Sequence, residues 1–295
     1  METIKLMALR HSAFYSPYLM TFAGPFLKQQ GLAASYEVAT AEHPVDESIL
    51  NGYCHLAQSA IATRFADLEA GKESRIRHFA QINERDGFYI AGREKDDDFS
   101  WQTLKGKKVL VDHFFQPHAM LAYALKKQGM DFSDFEVINA GDVSQIEKAF
   151  RHGEADYVHL QGPYPQQLEA EGRAIVLASV GEAVGPVAFS SLCADKDWLQ
   201  TDMAKAFLSA YTASMQYVIE APAIEIASKQ KEAALFPDIE LSVLSHTIAS
   251  YQRLGCWNSD INTSEQAFNT LLDVFLHSGA ISRRYDYEQL IAGIK

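Results

Sequence analysis

The sequence predicts an α/β fold of two lobes with a ligand cleft between them, and three observations support this. The chain of 295 residues is long enough for two lobes of about 100–200 residues each. Short apolar runs with strand character alternate with helix-length amphipathic segments, and this pattern occurs twice. After residue 195 the chain is almost wholly helical. We therefore expect residues 1–91 in lobe I, 92–186 in lobe II, and 187–295 in a return to lobe I that is mostly helical.

The first occurrence of the pattern gives the elements of lobe I. Strands are predicted at 4–9, 36–39, 55–58 and 78–82, and helices at 18–30 and 60–70. Gly31 and Gly71 follow the two helices, where glycine commonly ends a helix because it adopts left-handed backbone conformations. The alternation of strands and helices predicts parallel strands.

The second occurrence gives lobe II and the return. The predicted strands are 109–112, 135–139, 157–161, 174–178 and 187–193, and the predicted helices are 117–128, 143–152, 164–171, 203–219, 221–234, 239–251, 264–278 and 287–294. The lobes are expected to connect near residues 89–93 and again near 185–186, and two crossings make a hinge. Ligands of open α/β sheets bind at the carboxyl ends of strands, so two such sheets facing each other predict a cleft that closes by hinge motion.

Composition excludes several classes of function. The formal net charge is −12, from 38 acidic and 26 basic residues, and it disfavours nucleic acid as a partner. No apolar stretch approaches the ~20 residues that span a membrane, and the N-terminus lacks the pattern of a secretion signal. We expect a cytoplasmic protein if Met1 is the native start, and a periplasmic one if a signal peptide was removed. Cys54, Cys193 and Cys256 are widely spaced, which predicts buried free thiols.

Five phrases carry a family resemblance. They are HSAFYSPY at 11–18, FLKQQGL at 26–32, NGYCHLA at 51–57, LKGKKV at 104–109 and AFRHGEADY at 149–157. Their order and spacing resemble the nitrate-, sulfonate- and thiamine-precursor-binding proteins, which have the type 2 periplasmic-binding-protein fold. The resemblance implies a stand-alone solute-binding protein, with a transporter permease as partner only if the chain is exported.

The same family includes the fungal pyrimidine synthase of thiamine biosynthesis, which uses a lysine and a histidine in the turn after the third strand. The resemblance places Gln58 and Ala62 at those positions, and residues 190–193 replace a cysteine-rich segment. A binding protein without catalysis is therefore favoured. The alternative is an enzyme in the same cleft, either an altered synthase or a lyase with His11 or His113 as general base.

Candidate ligand-binding residues follow the carboxyl ends of the predicted strands. In lobe I they are His11, Ser12, Tyr15, Gln58, Ser59 and Asn83. In lobe II they are His113, Phe114, Phe115, Gln116, His159, Gln161 and Tyr164. Ser59 could equally cap the following helix. The aromatic residues of lobe II favour a flat aromatic or heterocyclic ligand, although we expect one of Phe114 and Phe115 to turn into the core.

The predicted site contains three histidines, His11, His113 and His159, but they have neither HxH nor HxxxH spacing. We therefore expect no metal and no cofactor in the cleft.

Overall fold

The computed structural model describes residues 1–292 and contains two mixed five-stranded sheets with flanking helices, which confirms the predicted two-lobed α/β fold. The strands are β1 (Glu2–Ala8), β2 (Leu32–Val38), β3 (Leu56–Ser59), β4 (Ile76–Asn83), β5 (Phe88–Gly92), β6 (Lys108–Leu110), β7 (Glu136–Ile138), β8 (Tyr157–Gln161), β9 (Ile175–Ser179) and β10 (Ser190–Asp195). The α-helices are α1 (Ser16–Ala23), α2 (Phe26–Gln29), α3 (Val45–Leu50), α4 (Phe65–Glu69), α5 (Phe115–Lys127), α6 (Val143–Arg151), α7 (Tyr164–Ala170), α8 (Val180–Val184), α9 (Asp202–Glu220), α10 (Ala223–Glu232), α11 (Leu241–Leu254) and α12 (Glu265–His277).

Each sheet combines parallel strands with one antiparallel strand that arrives from the other lobe. The strand order is β2-β1-β3-β10-β4 in lobe I and β7-β6-β8-β5-β9 in lobe II. β1 pairs in parallel with β2 and β3, and β6 pairs in parallel with β7 and β8. β10 and β5 are antiparallel to both of their neighbours, because each enters its sheet after a crossing between the lobes. The prediction of parallel strands was therefore incomplete.

The first crossing lies earlier than expected. β5 pairs with β8 along its whole length and with β9 over 89–92, so the chain enters lobe II between Asn83 and Phe88, before the expected boundary after residue 91. The segment 89–93, expected to be a connection, is mostly strand. Its apolar residues are buried in the middle of the lobe II sheet, which is typical of a strand that is covered on both faces.

The helical C-terminal part contacts both lobes. α9 packs against α1 and α2 of lobe I, whereas α11 contacts α7 and α12 contacts α5, both in lobe II. The predicted helix 287–294 differs from the structure: Tyr287–Gln289 forms a single 3₁₀ turn, and Ile291 bridges to His78 of β4. Residues 293 and 294 of that prediction lie outside the described residues.

Local sequence explains one further difference. The predicted helix 18–30 is divided into α1 and α2 at Gly24 and Pro25, because proline has no N–H to continue the hydrogen bonding of α1. α3 was not predicted.

The three cysteines are free and buried, as predicted. No helix among residues 1–292 is long and apolar enough to cross a membrane.

Candidate ligand-binding cleft between the lobes

The cleft is formed where the carboxyl ends of parallel strands from the two lobes face each other. Its lining residues are Leu9, Arg10, Tyr15, Gln58, Ala60, Phe88, Phe114, Gln116, Pro117, Gln161, Phe189 and Ser190. The cavity that they enclose is only about 30 Å³, enough for about one or two ordered water molecules. The structure therefore shows the two lobes nearly closed on each other.

An ion pair joins the lobes across the cleft. Arg10 follows β1, and its Nη1 and Nη2 both donate to Oδ2 of Asp112, which follows β6, at 3.2 Å. The guanidinium also lies 4.5 Å from the ring centroid of Phe114. The Oδ1 atom of Asp112 accepts a hydrogen bond from the backbone N–H of Phe114 at 2.8 Å, which fixes the carboxylate. The site prediction omitted both charged residues, although opposite charges directly after strand ends of facing sheets were a usable signal.

Three glutamines supply neutral hydrogen-bonding groups to the cleft. Gln58 Oε1 accepts from the backbone N–H of Arg10 at 3.3 Å, and Gln116 Nε2 donates to the carbonyl of Phe189 at 2.6 Å. The Gln116 Oε1 atom is buried and has no partner among the described residues. Gln161 ends β8 and also lines the cavity. The structure thus brings all three predicted glutamines together, with one acceptor available.

Tyr15 places a hydroxyl in the same cavity. Burial raises the pKa of Tyr15, while the positive charge of Arg10 and hydrogen bonding by Gln161 and Ser190 oppose that change. The phenol therefore stays neutral at physiological pH and can both donate and accept a hydrogen bond. Ser190, which was not predicted, belongs to the return strand β10, and nothing in its local sequence marks it.

The two adjacent phenylalanines of lobe II have different environments although they are equally exposed. Phe114 lines the cleft beneath Arg10. Phe115 lies with its ring centroid 4.8 Å from that of Phe275 in α12, outside the cleft. The side chains of both are 46% exposed, so neither turns into the core as we had expected.

His11 was predicted in the cleft but lies elsewhere. Its Nδ1 is 2.8 Å from the Tyr36 hydroxyl, its Nε2 is 2.6 Å from the carbonyl oxygen of Leu235, and its ring stacks on Phe236. Both nitrogens are thereby engaged with β2 and with the segment between α10 and α11. The structure gives His11 a packing role.

Other predicted residues of lobe I join chain segments. Ser12 Oγ donates to the carbonyl of Gly162 at 2.9 Å, a contact between the lobes. Asn83 Nδ2 donates to the carbonyl of Phe14 at 2.7 Å, and its Oδ1 accepts from Ser190 Oγ at 3.1 Å. Ser59 Oγ lies 3.5 Å from Thr63 Oγ1. None of the three lines the cavity.

In lobe II, three predicted residues also lie outside the lining. His113 Nδ1 is 2.8 Å from the carbonyl oxygen of Val111, and Tyr164 packs against the core of lobe II. His159 is fully buried 4.7 Å from the ring of Phe88, and neither of its nitrogens has a partner in the described part of the chain. Burial lowers the pKa of His159 to about 3. Within residues 1–292, no group of three histidine, cysteine, aspartate or glutamate side chains is arranged to hold a metal ion.

Comparisons with known proteins agree with this architecture. Residues 15–224 match the sequence profile described as "NMT1/THI5 like". The "Putative binding protein YtlA" of Bacillus subtilis strain 168 is 26% identical over 292 residues, which cover 98% of this chain and 87% of that protein. The periplasmic aliphatic sulphonate binding protein SsuA of Escherichia coli superimposes with a TM-score of 0.75 at 16% identity, covering 100% of this chain and 93% of that one.

A second solved structure is similarly close in fold. It is the ligand-binding component of an ABC-type import system from Staphylococcus aureus, with zinc bound, and it has a TM-score of 0.75 at 14% identity. The match covers 99% of this chain and 97% of that one.

Proposed function

This chain belongs to the NMT1/THI5-like family, and we propose that it is a small-molecule-binding protein whose lobes close over a planar, polar heterocycle. The observation that carries the proposal is the lining of the cleft. Four aromatic residues, Tyr15, Phe88, Phe114 and Phe189, line the cavity together with three glutamines. Aromatic walls favour a flat ring, and amide groups match the donors and acceptors at the edge of a heterocycle.

The charges of the cleft favour a ligand without net charge. Arg10 is paired with Asp112, so the two charges compensate each other inside the cleft. An aliphatic sulfonate, the ligand class in the name of the E. coli structural relative, would have to bind beside a carboxylate. A neutral or zwitterionic ring can instead insert between Arg10 and Asp112 and hydrogen-bond to both.

The lining disfavours the enzyme alternative. The residues around the cavity include no lysine, histidine or cysteine. His11, offered as a general base, has both nitrogens engaged outside the cleft, and His113 does not reach the cavity. Among the polar groups that remain, the Tyr15 phenol is held neutral by its raised pKa and the Asp112 carboxylate is paired with Arg10, so the lining is better suited to recognition than to catalysis.

Ligand entry requires the lobes to separate. The cavity of about 30 Å³ is far smaller than the ~300–1,000 Å³ of small-molecule sites, so the observed arrangement is a closed one. Opening must break the Arg10–Asp112 pair and the Ser12–Gly162 hydrogen bond. Ligand that satisfies the same groups would then favour closure again.

The test is a binding comparison between two ligand classes. Aminopyrimidines, pyridines and imidazoles are titrated calorimetrically beside ethanesulfonate and other aliphatic sulfonates. We expect a planar heterocycle to bind, and we expect Phe114→Ala to weaken its affinity at least tenfold because one aromatic wall is lost. Bound ligand, released by denaturation, should be chemically unchanged.

Phe115→Ala is the matched control, since Phe115 is the neighbour with the same exposure but packs outside the cleft. It should leave the affinity unchanged. Preferred binding of aliphatic sulfonates, equal effects of the two variants, or recovery of a converted product would each contradict the proposal.

The partner depends on the compartment. We propose that an exported form would deliver its ligand to an ABC transporter permease, whereas a form that is not exported would act without a permease. Fractionation of the source cells, with N-terminal sequencing of the recovered protein, distinguishes the two.

A further inference from the structure

A second and larger cavity, which we call the lateral groove, lies beside the outer strand of lobe II. It measures about 560 Å³, within the range of small-molecule sites. β9, α7 and α8 form one side and α11 forms the other. Its lining residues are Tyr89, Gln166, Glu169, Val176, Leu177, Ala178, Ser179, Glu182, His246, Ser250, Arg253 and Leu254.

The lateral groove has opposite charges on opposite sides. Glu182 is carried by α8 of lobe II and Arg253 by α11, and both are exposed. Neither forms an ion pair with any residue in 1–292, although Arg253 Nη2 donates to Ser250 Oγ at 2.9 Å. Glu169 lies 4.0 Å from His246, and its Oε1 also accepts a hydrogen bond from the backbone N–H of Val176 at 3.1 Å. Glu182 and Arg253 are thus the charged side chains of the lining that have no oppositely charged neighbour within 4.0 Å in the described part of the chain.

The lining also contains buried polar atoms without partners. The hydroxyl of Tyr89 and the Oε1 atom of Gln166 are both buried, and neither makes a hydrogen bond within the described part of the chain. Burial raises the pKa of Tyr89, Arg253 acts to lower it, and Glu182 acts to raise it, so both charges lie near this hydroxyl. Buried polar atoms are almost always hydrogen-bonded in folded proteins, which indicates that a bound molecule or water completes this surface.

We propose that the lateral groove is a second binding site, for a small zwitterion of the free amino acid class. Its ammonium group would bind the Glu182 carboxylate, and its carboxylate would bind the Arg253 guanidinium. Charge-assisted hydrogen bonds of this kind are stronger than neutral ones, and guanidinium–carboxylate pairing also fixes the orientation of the ligand. One positive and one negative group on facing walls suit a molecule with both charges better than a simple anion or cation. This site is separate from the interlobe cleft and does not depend on its proposed function.

The experiment screens the free L-amino acids one by one by thermal shift and measures the best hit by calorimetry. Propylamine and propionate, which carry one charge each, are the matched probes. We expect one-to-one binding of an amino acid and no detectable binding of either single-charge probe. Glu182→Gln and Arg253→Gln should each weaken the affinity about tenfold, because each removes one charge-assisted contact.

Two further variants locate the site. Glu232→Gln removes an exposed carboxylate of α10 outside the lateral groove, and Phe114→Ala alters the interlobe cleft; both should leave amino acid affinity unchanged. The proposal is overturned if no amino acid binds, if the two groove variants bind as the unaltered protein does, if a single-charge probe binds equally well, or if Phe114→Ala abolishes binding.

Discussion

The interlobe cleft and the lateral groove differ in how their polar groups are satisfied. In the cleft, Arg10 pairs with Asp112, and the enclosed space is about 30 Å³. In the lateral groove, Glu182 and Arg253 form no ion pair with the described residues, and the space is about 560 Å³. The difference shows that in the closed cleft the polar groups of the two lobes bond to each other. A ligand of the cleft must therefore replace existing contacts. The lateral groove offers unused contacts without any movement of the lobes.

One buried side chain packs between the segment that follows β1 and the lining of the lateral groove. Tyr251 of α11 is fully buried, with its ring centroid 4.8 Å from that of Phe14, the neighbour of the cleft residue Tyr15, and 6.0 Å from that of Tyr89, which lines the groove. Its hydroxyl donates to the carbonyl of Gly87 at 3.1 Å, in the first crossing between the lobes. Tyr251 therefore connects the C-terminal helices to the hinge.

Removing the Tyr251 ring should have the largest effect on stability. We expect Tyr251→Ala to lower the free energy of unfolding by about 3–5 kcal/mol, because a large buried aromatic ring is lost and a cavity remains. Urea unfolding at pH 7 measures the change. Tyr251→Phe keeps the ring and removes only the hydrogen bond, so it should cost about 1 kcal/mol. Equal losses in the two variants would show that packing of the ring adds no stability beyond its hydrogen bond.

The second prediction concerns the protonation of His159, behind the Phe88 wall of the cleft. Because burial lowers its pKa to about 3, the native state leaves the ring neutral at pH values where the unfolded chain, with a pKa near 6.5, binds a proton. This histidine therefore makes stability fall as the pH is lowered from 6.5 toward 3, by about 1.4 kcal/mol per unit. His159→Leu removes that slope. The difference in unfolding free energy, variant minus unaltered protein, should therefore be roughly 3 kcal/mol larger at pH 4 than at pH 6.5.

The measurement is the difference between the two proteins in unfolding free energy across pH 4–7, because other groups contribute to each curve. Asp86 is one of them: burial raises its pKa to about 7, so the native carboxyl holds a proton that the unfolded chain releases above pH 3.8. Its contribution makes stability fall as the pH rises from 3.8 to 7, opposite to that of His159. Subtracting the two curves cancels Asp86, and parallel curves would refute the role given to His159.

Local sequence determined most of the secondary structure, and the exceptions have physical reasons. The predicted strand 157–161 coincides with β8, and 143–152 differs from α6 only at its end, because apolar periodicity and an Asp142 cap mark them clearly. β5 was misassigned because it lies directly after a crossing between the lobes, and its short apolar sequence was interpreted as the connecting segment. α3 was missed because it is only six residues long and its pattern is irregular, with Ser48 buried and Leu50 exposed.

The site was less predictable than the fold. The rule that ligands bind at strand ends led to Tyr15, Gln58, Phe114, Gln116 and Gln161, which line the cavity, and their contact with a ligand stays a prediction. It failed for His11, whose loop is at the cleft while its side chain turns toward Leu235. Which way a side chain points depends on tertiary packing, and periodicity contains no information about a partner more than 200 residues away.

The third prediction tests whether the ion pair holds the cleft closed. Asp112→Asn retains an Oδ1 acceptor for the backbone N–H of Phe114 but places an amide N–H₂ against the Arg10 guanidinium. We expect stability to fall by only about 1 kcal/mol, since Arg10 is partly exposed and water can replace its partner. X-ray scattering should show the free protein expanded, because an opposing pair of donors favours the open lobes. Asp197→Asn, in a surface pair with Arg75, is the control and should change neither quantity measurably. If the Asp112→Asn protein scatters like the unaltered one, apolar contact between the lobes is sufficient for closure, and the cleft differs from the lateral groove in packing rather than in charge pairing.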